Sequence, residues 1–338
     1  MPVSEKPAIA ITMGDPCGIG PEVVVKALAD PSVYATCRPL VVGNIYAMQR
    51  AVELTGIPLR INAPDDPTAA GQDPGMVDVL DINNLNPEDI TVGEISPTCG
   101  KAAMEWVTKA GELALAGVVD GMATAPLNKE AASLAGYESI GHSELLQELA
   151  GVKTVATMLL AKNLRVVHLT THRSLRLACD YVKKDRILEF LELTHDNFVT
   201  WGFKNPRVGA AALNPHNSDG GLLGSEEAEE IAPAVEAARQ RGIDVTGPVP
   251  ADIIFHQAIQ GRYDAVLCMF HDQGHIPVKV YGFEESITAN LGLPFVRTSV
   301  DHGTAFDIAG KGIADAFSML ESIRLAVGLA KGNGLADF

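Results

Sequence analysis

Positive charge is scarce in this chain. Its 338 residues hold 26 Lys and Arg against 42 Asp and Glu, a formal net charge of −16. A surface field of that sign repels phosphodiester backbones and anionic headgroups, so nucleic acid and membrane drop out as partners. Paired cysteines are absent as well. The five, Cys17, Cys37, Cys99, Cys179 and Cys268, are odd in number and contain no CxxC, in a chain too large to need staples. That usage predicts a reducing cytoplasm. The N-terminus MPVSEKPAIAITMG has no basic stretch leading into an apolar core, and no window approaches about 18 uncharged apolar residues. Nothing repeats at a fixed period and no heptad or low-complexity tract occurs, which leaves solenoids and coiled coils unsupported.

What is present is the composition of a globular protein: 47% hydrophobic, 20% charged, with 32 Gly and 20 Pro scattered between apolar runs. At roughly 100–200 residues per domain, the length predicts two packed lobes or one large α/β unit. Short aliphatic runs alternate with longer helical patterns, the mark of a mostly parallel sheet. IAIT at 9–12, PLVVG at 39–43 and VDVLDI at 77–82 read as strands, and PEVVVKALAD at 21–30 opens a helix with Pro21 in its first turn. The rhythm repeats at 164–172, 206–215 and 263–271, each a strand beside a helical stretch, while the Pro-, Gly- and Asp-rich 62–75 reads as an exposed loop.

Histidines mark the ends of those later strands. His172, His216 and His271 each fall just after a buried-looking run. In open α/β sheets ligands collect beyond the carboxyl ends of strands, so three imidazoles delivered there can hold a metal with open positions for substrate. A turn-holding polar residue is the alternative for any one of them; the shared topological place favours the metal. His168 lies inside its strand and reads as core or as support for the ligands, His195 as a polar helix position, and Trp106 and Trp201 as core.

Two glycine loops complete the pattern. MGDPCGIGPEVVVKAL carries Gly14, Asp15, Gly18 and Gly20 before a helix, but its glycines are not in the GxGxxG order, which disfavours a Rossmann cofactor site. SVDHGTAFDIAGKGIADAFSML at 299–320 places Gly303, Thr304 and Asp307 before another helix, a spacing of amides, hydroxyl and carboxylate suited to a nucleotide. Either loop taken alone is also a plain strand-to-helix connection.

These loops resemble the nucleotide-side loops of isocitrate and isopropylmalate dehydrogenases, which implies cofactor contacts at Gly14, Asp15, Gly303, Thr304 and Asp307. A closer resemblance is to the 4-hydroxythreonine-4-phosphate dehydrogenase family of vitamin B6 synthesis and its paralogues acting on 4-phospho-D-threonate or 4-phospho-D-erythronate. MGDPCGIGPE, GHSE, TTHRSLR, LNPHNSDGG, GPVPAD, MFHDQG and GLPFVRTSVDHGTA occur in that order from 13 to 305. The resemblance implies two α/β/α lobes around a central cleft, an isocitrate dehydrogenase-like fold, divided as 1–130 plus 298–338 for the cofactor side and 131–297 for the metal and dimer side. It implies a homodimer sharing its active sites, NAD as oxidant, and one divalent metal (Zn, Co, Mn or Mg) on His172, His216 and His271. His142 and Ser143 match substrate-binding positions, Ser standing where the family commonly has Thr, and Lys279 and Arg297 match the others. Thr288 occupies a position where the family has Asn, with Asn290 nearby.

The activity so implied is oxidation and decarboxylation of a small 4-phosphorylated four-carbon hydroxy acid. His142, Ser143, Lys279 and Arg297 would hold the phosphate, with Asp252 and Asp272 as candidate proton carriers and Lys129 as a further cation at the reaction centre. Asp252 is equally well placed to cap the helix 251–261. Three rivals remain: a cis-dihydrodiol carboxylate dehydrogenase of aromatic catabolism, a metal-assisted hydrolase, and a binding protein that kept the fold.

Overall fold

The computed structural model describes residues 6–139, 141–333 and 335. It divides into two compact units, Met1–Val155 with Leu293–Lys331, and Ala156–Gly292 with Gly332–Phe338. Elements are numbered along the chain.

The first unit is built on parallel strands β1 (Ala8–Thr12), β2 (Arg38–Val42), β3 (Arg60–Asn62), β4 (Met76–Leu80), β5 (Gly121–Thr124) and β12 (Val296–Val300), in the spatial order β3-β4-β2-β1-β5-β12. β1 is buried along its whole length, which is why AIAIT reads as a continuous apolar run rather than an alternation. Helices α1 (Gly20–Leu28), α2 (Pro31–Thr36), α3 (Ile45–Thr55), α4 (Pro97–Leu115), α5 (Lys129–Leu134), α6 (His142–Ala150) and α12 (Phe317–Ala330) belong to this unit. Their starts are written in the sequence. Pro21 and Pro97 occupy first turns, where a missing N–H costs nothing, and the side chains of Asn44, Ser96 and Asn128 accept from backbone N–H groups at the heads of α3, α4 and α5. Ile9, Ile11, Val23, Val24, Trp106 and Val107 are buried in one apolar cluster, each contributing about 1.5–3 kcal/mol of burial.

The second unit holds β6 (Ala156–Ala161), β7 (Leu164–His168), β8 (Val208–Ala211), β9 (Val245–Val249), β10 (Ala265–Cys268) and β11 (Ile287–Leu291), in the order β11-β6-β7-β10-β8-β9. β7, β10, β8 and β9 run parallel; β6 is antiparallel to both of its neighbours. Helices α7 (Leu175–Asp180), α8 (Lys184–Thr200), α9 (Ala232–Gln240), α10 (Ala251–Ile259) and α11 (His271–Tyr281) join them.

The α/β class and the two-unit plan match the sequence reading, and the boundaries differ from 130 and 298. α5 and α6 stay with the first unit because α6 packs on α4: a Cβ at Gly111 would meet Leu146 and Leu149 directly. The last residues join the second unit, where the carbonyl of Leu335 accepts from Arg165 at 3.4 Å. Trp106 and Trp201 are core residues, as expected. Among the described residues no helix is long and apolar enough to cross a membrane.

Candidate active site

Parallel order decides where the functional loops go. In the first unit β1, β5 and β12 are adjacent, so the segments that follow Thr12, Thr124 and Val300 all emerge at the carboxyl edge. They are tied together there: Asp15 N donates to Pro126 O at 2.9 Å, and Ile19 N donates to Thr304 O at 3.0 Å. Gly14 has φ +74°, and a Cβ on it would overlap the Pro126 carbonyl, so glycine is required twice over. The two glycine loops singled out in the sequence are thus packed on each other.

Their residues divide into holders and exposed groups. Asp15 is wholly buried, its Oδ1 accepts from Cys17 N at 2.9 Å, and Oδ2 has no hydrogen-bond partner among the described residues. Burial lifts its pKa to about 6, the Cys17 hydrogen bond opposing. Asp15 therefore shapes the loop from inside. Thr304 is buried at the crossing, whereas Gly303 and Asp307 are exposed and a Cβ at Gly303 would enter open space. Amides and a carboxylate on an exposed loop fit the ribose and amide donors and acceptors of a dinucleotide.

A cationic cluster lies at the same edge. Arg297, on β12 opposite Met122 of β5, is 4% exposed and donates from Nη2 to Thr124 Oγ1 at 2.6 Å. Burial lowers its pKa to about 9 and Glu144 opposes, so the guanidinium keeps its charge at neutral pH. His142, the first residue of α6, is hydrogen-bonded to the backbone of Ala125, and its buried Nε2 has no hydrogen-bond partner among the described residues. Burial first, then the charges of Arg297 and Lys129, hold its pKa well below the ordinary histidine value. His142 is a neutral ring whose Nε2 is left as an acceptor beside the charges of Arg297 and Lys129, and it is those cations that suit a bound anion. Lys129 is exposed at the head of α5, and Ser143 follows His142 in α6.

The second unit repeats the strategy with imidazoles. β7, β10 and β8 are neighbours running the same way, so His172, His271 and His216, which follow them, lie at one sheet edge. His172 and His271 come together, ring centroids 5.9 Å apart, and both line a cavity of about 350 Å³ with Thr171, Arg173, Phe270 and Asp272. Asp272 Oδ1 accepts from His271 Nδ1 at 2.7 Å, which makes Nε2 the ring's basic nitrogen; a carboxylate on the far nitrogen is the usual support of a ligating histidine. His216 carries the same device, its Nδ1 3.2 Å from Asp219 Oδ2. It is not among the residues lining that cavity, and among the described residues no three His, Cys, Asp or Glu side chains within this chain are grouped to hold an ion. His216, Asn217, Ser218 and Asp219 run consecutively through the left-handed region at φ 51°, 56°, 61° and 43°. Each such residue costs about 1–2 kcal/mol, a strain typical of functional loops. The donor set, neutral nitrogens backed by carboxylates, fits a divalent cation.

Two more histidines extend the pair. His275 stacks on His271 with centroids 3.6 Å apart and planes 11° from parallel, and His168 lies 4.6 Å from His275. His168 is buried, and burial followed by the charge of His275 pushes its pKa down to about 3. The helix carrying this array approaches the sheet at Gly274, where a Cβ would overlap His168 Nε2 and come 2.6 Å from Cys268 Sγ. His275 escaped the sequence reading, although HDQGH places it one helical turn from His271 and on the same face.

The remaining candidates scatter. Lys279 Nζ donates to buried Ser286 Oγ at 3.1 Å and lies over the Phe283 ring. Thr288 and Asn290 share one face of β11, two residues apart. Asp252 is exposed in the first turn of α10, after β9 and so at the same sheet edge as the histidines. Asp272 is engaged with His271, which ties it to orienting that ring.

Residues 35–326 match the sequence profile of the pyridoxal phosphate biosynthetic protein PdxA. The chain is 47% identical over 325 residues to the D-threonate 4-phosphate dehydrogenase of Cupriavidus necator, covering 96% of this chain and 97% of that one. It superposes on the 4-hydroxythreonine-4-phosphate dehydrogenase of Klebsiella pneumoniae with a TM-score of 0.90 at 42% identity, over 97% and 99% of the two chains. A terephthalate 1,2-cis-dihydrodiol dehydrogenase from Burkholderia xenovorans LB400 is more distant, with a TM-score of 0.69 at 29% identity over 96% and 98%.

Proposed function

Because the chain belongs to the PdxA family, we propose that it is an NAD-dependent, divalent-metal-dependent dehydrogenase. Its substrate in this reading is a small 4-phosphorylated four-carbon hydroxy acid, 4-phospho-D-threonate, 4-phospho-D-erythronate or 4-phosphooxy-L-threonine, which it oxidises and decarboxylates. The observation that carries the reading is the convergence of His172 and His271 on one cavity, with Asp272 fixing the tautomer of the second.

A divalent cation held by His172, His216 and His271 would supply Lewis acidity to a secondary hydroxyl and its neighbouring carboxylate. NAD, resting on Gly14, Gly303, Thr304 and Asp307, would accept the hydride. The chain's own side chains do the rest. Arg297, locked to Thr124, presents a buried guanidinium fork to phosphate; the hydroxyl of Ser143 adds a donor, the Nε2 of neutral His142 accepts from a protonated phosphate oxygen, and Lys129 and Lys279 add point charges. Asp252 carries the hydroxyl proton away, while Asp272 holds His271 in register. Thr288 and Asn290 line β11 for the substrate's hydroxyl-bearing carbons.

A homodimer with ligands shared between subunits accords with the apolar surface of the second unit, where Leu222, Val280 and Phe283 are 86%, 83% and 71% exposed. A cytoplasmic location accords with five free cysteines. The buried guanidinium of Arg297, with Lys129 near it, favours phosphorylated acids over the unphosphorylated dihydrodiol carboxylate. The test is NADH formation with 4-phospho-D-threonate, 4-phospho-D-erythronate and 4-phosphooxy-L-threonine, with and without chelator. Chelator-sensitive turnover of one of them is expected; phosphate release without NADH would overturn the reading in favour of hydrolysis.

A further inference from the structure

Arg173 stands beside His172 and lines the same cavity as His172 and His271. In a chain with 16 more acidic than basic side chains, a guanidinium left beside a metal-type histidine pair needs a reason. Three observations supply one. Arg173 makes no ion pair among the described residues; its guanidinium carbon lies instead 4.1 Å from the centroid of the Tyr181 ring. A cation on a ring face is oriented without being neutralised, and its planar N–H fork remains able to bind a carboxylate through two bonds. Second, the cavity's one acidic side chain, Asp272, already accepts from His271 and does not compete for the guanidinium. Third, the γ-type turn that places Arg173, with its N–H donating to Thr171 O at 2.8 Å, begins at another lining residue. The backbone of this exposed arginine is therefore tied to a lining residue, and its guanidinium rests on Tyr181, three residues beyond the lining residue Ala178.

We propose that Arg173 is an anion-binding residue of this cavity that takes the substrate's carboxylate, and that Tyr181 holds it for that task. This rests on the functional reading above and deepens it: the enzyme selects acids, with a carboxylate next to the reacting hydroxyl, over phosphorylated alcohols, esters or amides of the same length. Arg297 and its neighbours serve the phosphate, and Arg173 serves the other charged end.

The experiment uses the full-length enzyme. R173Q, R173K, Y181F and Y181L are assayed with 4-phospho-D-threonate and 4-phospho-D-erythronate, with inorganic phosphate as inhibitor and sedimentation recording the oligomeric state. R173Q should raise KM at least tenfold with kcat within threefold, while R173K recovers part of the loss. Y181L should fall between wild type and R173Q, and Y181F, which keeps a ring face under the guanidinium, should lose less than Y181L. The inhibition constant of inorganic phosphate should be the same in wild type and R173Q. An active wild type with unchanged KM in R173Q overturns the Arg173 assignment alone, as does weakened phosphate inhibition in R173Q, or a change of oligomeric state that accounts for the loss. A wild type inactive on every phosphorylated acid overturns the functional reading and this inference together.

Discussion

His271 and His275 lie one helical turn apart on α11 with their rings stacked, centroids 3.6 Å apart and planes 11° from parallel. The stack and the Asp272 hydrogen bond act on His271 from different directions: one sets the ring plane, the other sets which nitrogen is basic. His275→Ala should weaken divalent-metal affinity about tenfold, as loss of a supporting contact does. Competition against a fluorescent chelator measures it, and unchanged affinity would show that His271 needs no stacking partner.

The two candidate proton carriers separate by what they touch. Asp272→Ala should lower metal affinity about 10- to 100-fold, because His271 loses the carboxylate on Nδ1. Asp252→Ala should leave metal affinity alone and depress kcat, with the acidic limb of the pH profile altered. Metal titrations alongside pH–rate profiles distinguish them; the reverse pattern would exchange their roles.

Arg297→Lys keeps the charge and loses the fork. The bond to Thr124 Oγ1, and the bidentate phosphate binding proposed for this residue, both depend on planar guanidinium geometry. KM for the phosphorylated substrate should rise about tenfold or more, whereas inhibition by a non-phosphorylated hydroxy acid should change little. Equal effects on both would place Arg297 away from the phosphate.

Asp15 links stability to pH. Its folded-state pKa is about 6 against an ordinary 3.8, so between those values the native state binds more protons than the unfolded chain. Its contribution is fully present below pH 3.8 and is lost as pH rises through 6. Above that range the buried carboxylate costs on the order of 3 kcal/mol. Asp15→Asn keeps an acceptor for Cys17 N and removes the charge, so it should raise Tm at pH 8 and leave it unchanged at pH 4. Thermal melts at the two values decide the matter.

Gly274→Ala puts a methyl against His168 and Cys268. Moving α11 outward to admit it should cost about 1–3 kcal/mol and displace His271 with the helix. Denaturant midpoints and metal affinity should fall together, and loss of stability without loss of affinity would uncouple the helix seat from the site.

Much of the site was legible because strand ends can be read from sequence. The runs ending at His168, Ala211 and Cys268 are short, apolar and bounded, so the sequence alone assigns the histidines beyond them to one sheet edge. Glycine loops were legible for the same reason. What stayed hidden depends on tertiary approach. No local pattern shows that α6 packs on α4 at Gly111, so the unit boundary lies at Val155 and not at 130. Nor does GDPCG reveal that its Asp15 turns inward, which follows from the loop's crossing with Thr304 and Pro126. Arg173 was hidden by its neighbour, since His172 accounted for the motif and nothing in TTHRSLR announces the Tyr181 ring eight residues on.

The left-handed run from His216 to Asp219 gives the loop after β8 an elastic character. Four non-glycine residues wound against their preferred hand resemble a drawn spring, and whatever engages His216 meets a segment already under tension. Glycine at 217 or 218 would slacken it. The affinity of the cation proposed at His216 would then be tuned by residues that never touch it, through the energy the backbone stores and without any alteration of the donor atoms.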